Sequence, residues 1–285
     1  MKKPPVILFC FAALFVNANT LTAQSIDFTG ALSRMESAIA SSQEEFTMRD
    51  SYYLGRAAAA YILNSYPPFT QNPALTLYLN LICRALAVNS AIPNWYDGYY
   101  VIILDTPIIN AFATPGGHIF ITRGILGIVT SEDMLAAIIA HEMAHIQLWH
   151  GIAAVNHFRA VNDLYQEQNR IAQSLASDIQ QRIFTASVNE FVQTLFSGGY
   201  SQLQEFEADS AALSLLVSSG YNPQSLIELM RVLDSLQGNQ LAGLNSTHPL
   251  PSQRIANLQT RMQSLNRFAD NREARIDRFR RITGQ

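Results

Sequence analysis

The chain has 285 residues, of which 48% are hydrophobic and 14% charged, and it carries a formal net charge of −3. This length and composition allow one domain with a sizeable hydrophobic core. The mildly acidic balance argues against a nucleic-acid partner.

The first 23 residues have the pattern of a secretory signal peptide. Lys2 and Lys3 precede an apolar run, residues 6–16, that is too short to span a bilayer. We expect cleavage after Ala23, with Ala18 as the alternative site and a retained anchor as the competing interpretation. Cleavage would remove both lysines and leave a net charge of −5. The mature chain, residues 24–285, would then lack lysine, which excludes Schiff-base, Ser-Lys and P-loop mechanisms.

No later stretch is apolar and long enough to cross a bilayer, so we expect a periplasmic protein without a transmembrane segment. Residues 28–63 are predicted to be helical, and a second helix is predicted over residues 73–88, where Asn72 and Pro73 suit its start. Cys83 falls in an apolar pattern with Leu77, Leu81 and Val88. It is predicted to be a buried small hydrophobe rather than a reactive thiol, and as the only mature cysteine it cannot form an internal disulfide.

Three strands are predicted next, over residues 99–104, 108–113 and 118–122, because aromatic and β-branched residues alternate there between Pro and Gly turns. The edge of such a sheet can accept an extended peptide as an added strand. Residues 110–113 are the candidate for this edge, and an ordinary covered strand is the alternative. His118 is expected to be structural rather than a ligand.

The central motif is His141-Glu142-Met143-Ala144-His145, which lies in an apolar run after Ser131. The apolar run and a hydroxyl cap predict a helix. Two histidines four residues apart share one helix face, about 6 Å apart along the axis, and can bind one metal ion. Zinc suits imidazole ligands and lowers the pKa of water to about 7. Glu142 lies on the neighbouring flank, where it can take a proton from that water.

The helix is expected to end at Gly151, and His157 is expected in solvent. His150 is expected to be a helix-end residue, with a role near the site as the alternative. Residues 158–195 have the pattern of a long amphipathic helix that packs on the core. A lid or a membrane-facing element is the alternative for this segment.

A further helix is predicted over residues 201–219, opened by the capping box Ser201-x-x-Gln204. Glu205 and Asp209 share one face of it, whereas Glu207 points elsewhere. We assign Glu205 as the third metal ligand and Asp209 as the acceptor for a ligating imidazole. Without the upstream histidines, a solvated acidic face would be the preferred interpretation.

Four motifs occur in order: Asn110-Ala111-Phe112-Ala113-x-Pro115-Gly116-Gly117, His141-Glu142-x-x-His145, Glu205-x-x-Ala208-Asp209, and Thr247-His248-Pro249 followed by Arg254-Ile255. Together they resemble the zinc metallopeptidase family of the CAAX prenyl endopeptidases and HtpX, over residues 53–258. The secreted bacterial members that act in envelope quality control are more similar still. The resemblance implies His141, His145 and Glu205 as zinc ligands, Glu142 as general base and Asp209 as a supporting residue.

His248 follows a helix predicted over residues 222–236, and two roles are open for it. It can stabilise the oxyanion of the tetrahedral intermediate, or it can occupy the fourth zinc position and hold the enzyme latent, as the resemblance to self-inhibited relatives suggests. The sequence lacks the transmembrane helices and the tetratricopeptide extension of some family members. We therefore do not expect prenylated substrates or docking through such repeats.

The predicted fold is α+β: a mostly helical, gluzincin-type domain over residues 24–265 with a small three-stranded sheet. Residues 266–285 are expected to form a solvated basic helix, and peripheral contact with an anionic membrane surface is the alternative. The predicted function is that of an endopeptidase with one Zn²⁺ per chain, acting on unfolded or misassembled envelope polypeptides. The rival is a non-catalytic, zinc-stabilised chaperone or assembly factor for outer-membrane proteins.

Overall fold

The computed structural model describes residues 47–153, 199–236, 248, 251–263 and 272–284. The predicted signal peptide, the predicted helix over residues 158–195 and His157 lie outside these ranges. Among the helices that are described, none combines the length and the apolar character that a bilayer-spanning helix requires.

Helices dominate the described ranges, and one small sheet accompanies them, which confirms the predicted α+β class. The helices are α1 (Met48–Ser65), α2 (Pro73–Val88), α3 (Arg123–Leu126), α4 (Glu132–Gln147), α5 (Gln202–Ser218), α6 (Gln224–Ser235), α7 (Pro251–Met262) and α8 (Arg272–Thr283). The strands are β1 (Tyr100–Leu104), β2 (Ala111–Ala113) and β3 (His118–Thr122).

Side-chain caps determine where several of these helices begin. Asn72 caps α2, Ser131 caps α4, and Ser201 forms the predicted capping box with Gln204 at the start of α5. A capping box at Thr47 starts α1 at Met48. The predicted residues 28–46 of the first helix lie outside the described chain.

The sheet has the strand order β1-β3-β2, in which β3 is parallel to β1 and antiparallel to β2. β2 therefore occupies an outer position in the described sheet. It is shorter than predicted because the hydroxyl of Thr122, instead of a strand partner's carbonyl, accepts the hydrogen bond from the Asn110 N–H (3.1 Å). The side chains of residues 110–113 are buried.

Two glycines allow α1 to lie directly on the loop between β2 and β3. A Cβ added at Gly55 would lie 1.9 Å from the backbone N of Gly116, and a Cβ added at Gly116 would lie 3.0 Å from the backbone O of Tyr52 in α1. Gly117, the next residue of the loop, has a φ of +91°. The Pro115-Gly116-Gly117 motif is therefore explained by close backbone packing and a left-handed turn.

Helix α4 lies at the centre of the described fold, between the sheet, α2, α5 and α6. Its residues from Glu132 to Ile146 are all buried. Apolar residues lie on all sides of α4 between its polar ends, and a helix of this kind is normally buried in a core. The fold thus carries His141, Glu142 and His145 into the interior, where water is excluded from most of their surroundings.

Helix α2 buries a different face from the predicted one. Cys83 is buried as expected, but Leu77, Leu81 and Val88 are exposed. Helix α2 is apolar on two faces, so the hydrophobic period does not select between them. Its inward face consists of Tyr78, Leu79, Ile82, Cys83, Leu86 and Ala87.

The prediction of a solvated tail is wrong for α8. Arg275 and Phe279 are buried, and Arg275 Nε lies 3.0 Å from Asp133 Oδ1. Arg278 donates to Glu132 Oε1 at 2.6 Å. Acidic side chains in the first turn of α4 are buried, so they require cations, and arginines spaced on one face of α8 supply them.

Candidate metal centre

Three side chains from α4 and α5 converge at one point. His141 Nε2 and His145 Nε2 are 3.1 Å apart. Glu205 Oε2 lies 3.5 Å from the first of these nitrogens, and Glu205 Oε1 lies 3.4 Å from the second. Tetrahedral zinc with bonds of 2.0–2.1 Å separates its ligand atoms by about 3.3 Å. The spacing of these atoms therefore fits a zinc ion.

The charges around this point also fit a divalent cation. Glu142, Glu205 and Asp209 are buried there, and the guanidinium of Arg254 contacts the last two. With neutral imidazoles and ionised carboxylates, two negative charges remain uncompensated among these groups. Burial and Arg254 lower the pKa of His141, but hydrogen bonds to Asp209 and Glu205 raise it to about 9. Carboxylates that favour a proton at His141 also favour a metal cation.

Two buried carboxylate oxygens are left without hydrogen bonds among the described residues. They are Glu142 Oε2 and Glu205 Oε2, although Arg254 Nη1 lies 3.1 Å from the second. Unsatisfied buried acceptors are rare in native proteins and call for an ion or a water. A metal would satisfy Glu205, and a water beside it would satisfy Glu142.

Asp209 contacts the other nitrogen of the first histidine. Its Oδ1 lies 3.1 Å from His141 Nδ1, and Arg254 donates to both Asp209 oxygens at 2.6 and 2.9 Å. Burial would raise the pKa of Asp209, but Arg254 and His141 lower it to about 2. An ionised Asp209 can accept the Nδ1 hydrogen, which leaves Nε2 free to face Glu205.

The catalytic-base candidate and the second histidine have pKa shifts that suit their expected roles. Burial raises the pKa of Glu142, which favours uptake of a proton. Burial lowers the pKa of His145 to about 3. A neutral imidazole is the form that binds a metal.

His248 reaches the same point from outside the helices. Its side chain is 5% exposed, and its Nδ1 lies 2.8 Å from Glu205 Oε1. Potential ligand atoms of His141, His145, Glu205 and His248 all lie within 4.8 Å of one another. Burial would raise the pKa of Glu205, but His248 and Arg254 hold it well below its ordinary value.

Three residues at this centre were not predicted as site residues, although a role near the site was the alternative for His150. Arg254 bridges Asp209 and Glu205, and the ring of Tyr200 stacks on His145 with centroids 4.1 Å apart. His150 Nδ1 lies 2.9 Å from His145 Nδ1, although a helix-end role was expected. Of the three, only Arg254 belongs to one of the four family motifs. An arginine on a polar helix normally indicates a solvated face.

The predicted end of the helix that carries the histidines is wrong. Helix α4 ends at Gln147, and Trp149 has a φ of 60°, so Gly151 lies in the following helical turn instead of closing α4. Glu207 points away from the proposed ligands, as predicted: its side chain is 51% exposed, and its Oε2 lies 3.3 Å from His150 Nε2. His118 has the expected structural contact, with its Nδ1 3.2 Å from Thr114 Oγ1.

The edge strand ends beside the site. Ala113 and Thr114 line a small cavity of about 10 Å³ together with His145 and Tyr200. A peptide that extended the sheet along β2 would therefore run toward the histidines. Peptide binding by residues 110–113 stays a prediction.

The α+β fold and the cluster of proposed metal ligands together define a metallopeptidase of the His-Glu-x-x-His type. A family model described as Peptidase family M48 matches residues 73–262, which is more than half of the chain. The protein belongs to peptidase family M48, as the resemblance of its motifs predicts.

Several proteins are similar to this chain. Mitochondrial metalloendopeptidase OMA1 of Schizosaccharomyces pombe is 28% identical over 200 residues, which is 70% of this chain and 54% of that protein. Beta-barrel assembly-enhancing protease of Yersinia pestis is 25% identical over 235 residues, 78% of this chain and 44% of that protein. Metalloprotease LoiP of Escherichia coli is 26% identical over 156 residues, 55% of this chain and 60% of that protein. The matches thus span about half the length of these relatives.

Proposed function

We propose that the protein is a zinc-dependent endopeptidase with one Zn²⁺ per chain, held by His141, His145 and Glu205. The observation that carries this proposal is the spacing of 3.1–3.5 Å between their ligand atoms, with Glu142 on the same helix and one of its oxygens unsatisfied. Zinc at this position would lower the pKa of a water and polarise a peptide carbonyl.

The residues of the chain would then carry the proton transfers. Glu142 takes a proton from the attacking water and delivers it to the leaving amine. Burial supports the second half of this cycle, because it stabilises the protonated carboxyl. Asp209 holds His141 in the tautomer that leaves Nε2 free, and Arg254 holds Asp209 in place.

The proposed substrates are unfolded or misassembled envelope polypeptides in the periplasm. Support comes from the similarity to Beta-barrel assembly-enhancing protease, from the predicted signal peptide and from the position of β2 at the sheet edge. Binding along a strand edge uses backbone hydrogen bonds, so it selects extended chains rather than a particular sequence.

Removal of zinc should abolish cleavage of an unfolded substrate, and one equivalent of zinc per chain should restore it. Purified protein is treated with a chelator, dialysed and assayed on casein and on an unfolded outer-membrane barrel protein, with metal content measured by mass spectrometry. Cleavage that survives complete metal removal would contradict the proposal. If the zinc-loaded protein cuts neither substrate but suppresses aggregation of the barrel protein, the chaperone interpretation takes its place.

His248 is proposed to restrain the site. Four protein ligands form a closed zinc site, whereas catalysis needs an open position. His248 Nδ1 lies 2.8 Å from Glu205 Oε1, close enough for His248 to serve as the fourth ligand. We expect His248→Ala to raise the initial rate of casein cleavage roughly tenfold or more, which corresponds to about 1.4 kcal/mol. A fall of about 10²–10³-fold instead would assign His248 to oxyanion stabilisation. The zinc content of the variant, measured in parallel, separates either effect from loss of metal.

A further inference from the structure

A line of three side chains leads away from the proposed metal position. His145 Nδ1 lies 2.9 Å from His150 Nδ1, on the side of the ring opposite Glu205. Beyond it, His150 Nε2 lies 3.3 Å from Glu207 Oε2. His150 is buried, whereas the Glu207 side chain is 51% exposed. The line therefore runs from the surface to the second histidine of the His-Glu-x-x-His motif.

The hydrogens along this line have one consistent arrangement. For His145 to bind a metal through Nε2, its single ring hydrogen must be on Nδ1. That hydrogen points at His150 Nδ1, which must then be the bare acceptor. The hydrogen of His150 is consequently on Nε2, where it faces the carboxylate of Glu207.

The backbone between the two histidines is strained in a way that brings them together. Trp149 has a φ of 60°, a left-handed conformation that is strained for a residue with a side chain and is usually adopted by glycine. Its ring is held against Trp95, with centroids 5.3 Å apart. This turn ends α4 and directs His150 back at His145. Strained residues of this kind cluster at functional sites.

Stacking alone does not determine whether Nε2 or Cε1 of the His145 ring faces Glu205. Tyr200 lies flat on the His145 ring, at 17° between planes, and so it fixes the plane of the imidazole. A ring rotated by half a turn about the Cβ–Cγ bond would keep the stacking contact, but it would exchange Nδ1 with Cδ2 and Nε2 with Cε1. A hydrogen bond at Nδ1 distinguishes the two orientations.

We propose that His150, supported by Glu207, is a positioning residue that holds His145 in the tautomer and orientation required for zinc binding. It has the same relation to His145 that Asp209 has to His141. This proposal rests on the proposed function, because it takes His145 as a zinc ligand. His150 itself is not among the groups that converge on the metal position.

The test compares His150→Leu with the nearly isosteric His150→Asn. Leucine removes the acceptor, whereas the asparagine Oδ1 can accept the His145 hydrogen from a similar position. Zinc dissociation constants are measured by competition with a chelator of known affinity. We expect His150→Leu to weaken zinc binding about 10- to 100-fold and His150→Asn to recover most of that loss. The visible absorption of the cobalt-substituted protein should change in His150→Leu and return toward wild type in His150→Asn.

Glu207→Gln is expected to weaken zinc binding less than His150→Leu, by at most several-fold. Its carboxylate is half exposed, so its charge is screened by solvent, and the amide can still accept a hydrogen bond. Wild-type zinc affinity and an unchanged cobalt spectrum in His150→Leu would overturn the proposal and leave His150 as a helix-end residue. Equal losses in His150→Leu and His150→Asn would also overturn it.

A measurement on the wild-type protein covers the case in which His150→Leu does not fold. Nitrogen chemical shifts of the zinc-loaded protein report which ring nitrogens carry hydrogen. The proposal requires hydrogen on Nδ1 of His145 and on Nε2 of His150, and any other assignment contradicts it. Cleavage is assayed separately. If the wild type cleaves casein and His150→Leu keeps the wild-type zinc affinity, only the positioning role is refuted. If the wild type cleaves no substrate but its zinc affinity depends on His150, only the proposed peptidase function is refuted.

Discussion

Replacing Glu142 by Gln should lower the rate of casein cleavage by about 10²–10⁴-fold, which is the usual contribution of a general acid–base group. The amide has the same shape as the carboxylate, but it cannot take a proton from the attacking water. Zinc content should stay at one per chain, because the proposed ligand atoms belong to His141, His145 and Glu205.

The matched control for this change is Glu228→Gln. Glu228 is a partly exposed residue of α6 and has no role in the proposed mechanism. We expect its variant to cleave casein at the wild-type rate. Glu142→Gln that cuts as fast as this control, with zinc bound, would exclude Glu142 as the base. Loss of zinc in Glu142→Gln would instead make it part of the metal-binding set.

Replacing Arg254 by Met should lower the free energy of unfolding of the zinc-free protein by about 3–5 kcal/mol, the cost of breaking a buried ion pair from one side. Arg254 is buried and donates to both oxygens of Asp209, and it lies 3.1 Å from Glu205. Without it, two buried carboxylates would face each other with no guanidinium between them. Urea unfolding in the presence of a chelator measures the loss.

Arg123→Met is the control for this substitution. Arg123 pairs with Asp105 at the surface, where the two side chains are 48% and 33% exposed, and such pairs contribute about 1 kcal/mol or less. Zinc should reduce the deficit of the Arg254 variant, because the metal would neutralise Glu205. A zinc-free Arg254→Met protein that is as stable as Arg123→Met would show that Arg254 does not stabilise the centre.

Local spacing predicted the parts of the site that lie within one helix. His141, Glu142 and His145 belong together because 3.6 residues complete a turn, and Glu205 and Asp209 share a face for the same reason. Capping residues such as Ser131 and Ser201 marked the helix starts correctly. These features depend on hydrogen bonds between residues three or four apart, so the amino-acid order is sufficient to predict them.

Predictions failed where two alternative structures are compatible with the same local sequence pattern. Helix α2 is apolar on two faces, and only its contacts with β1 and α4 decide that Cys83, not Leu81, points inward. The end of α4 was assigned to Gly151 because glycine is the usual residue there. The structure uses Trp149 instead, and its contact with Trp95 lies outside any local window.

By itself, the sequence determined the α+β class, the family and the helical motifs that carry the proposed ligands, because these follow from short-range periodicity and from motifs in a fixed order. Only the tertiary structure decided that Arg254 joins Asp209, that His150 joins His145 and that α8 joins the start of α4. Arg254 is 45 positions from Asp209 and 113 from His141. The physical reason is that buried charges take whichever partners the packing of helices brings within hydrogen-bonding distance, and that packing depends on the whole core.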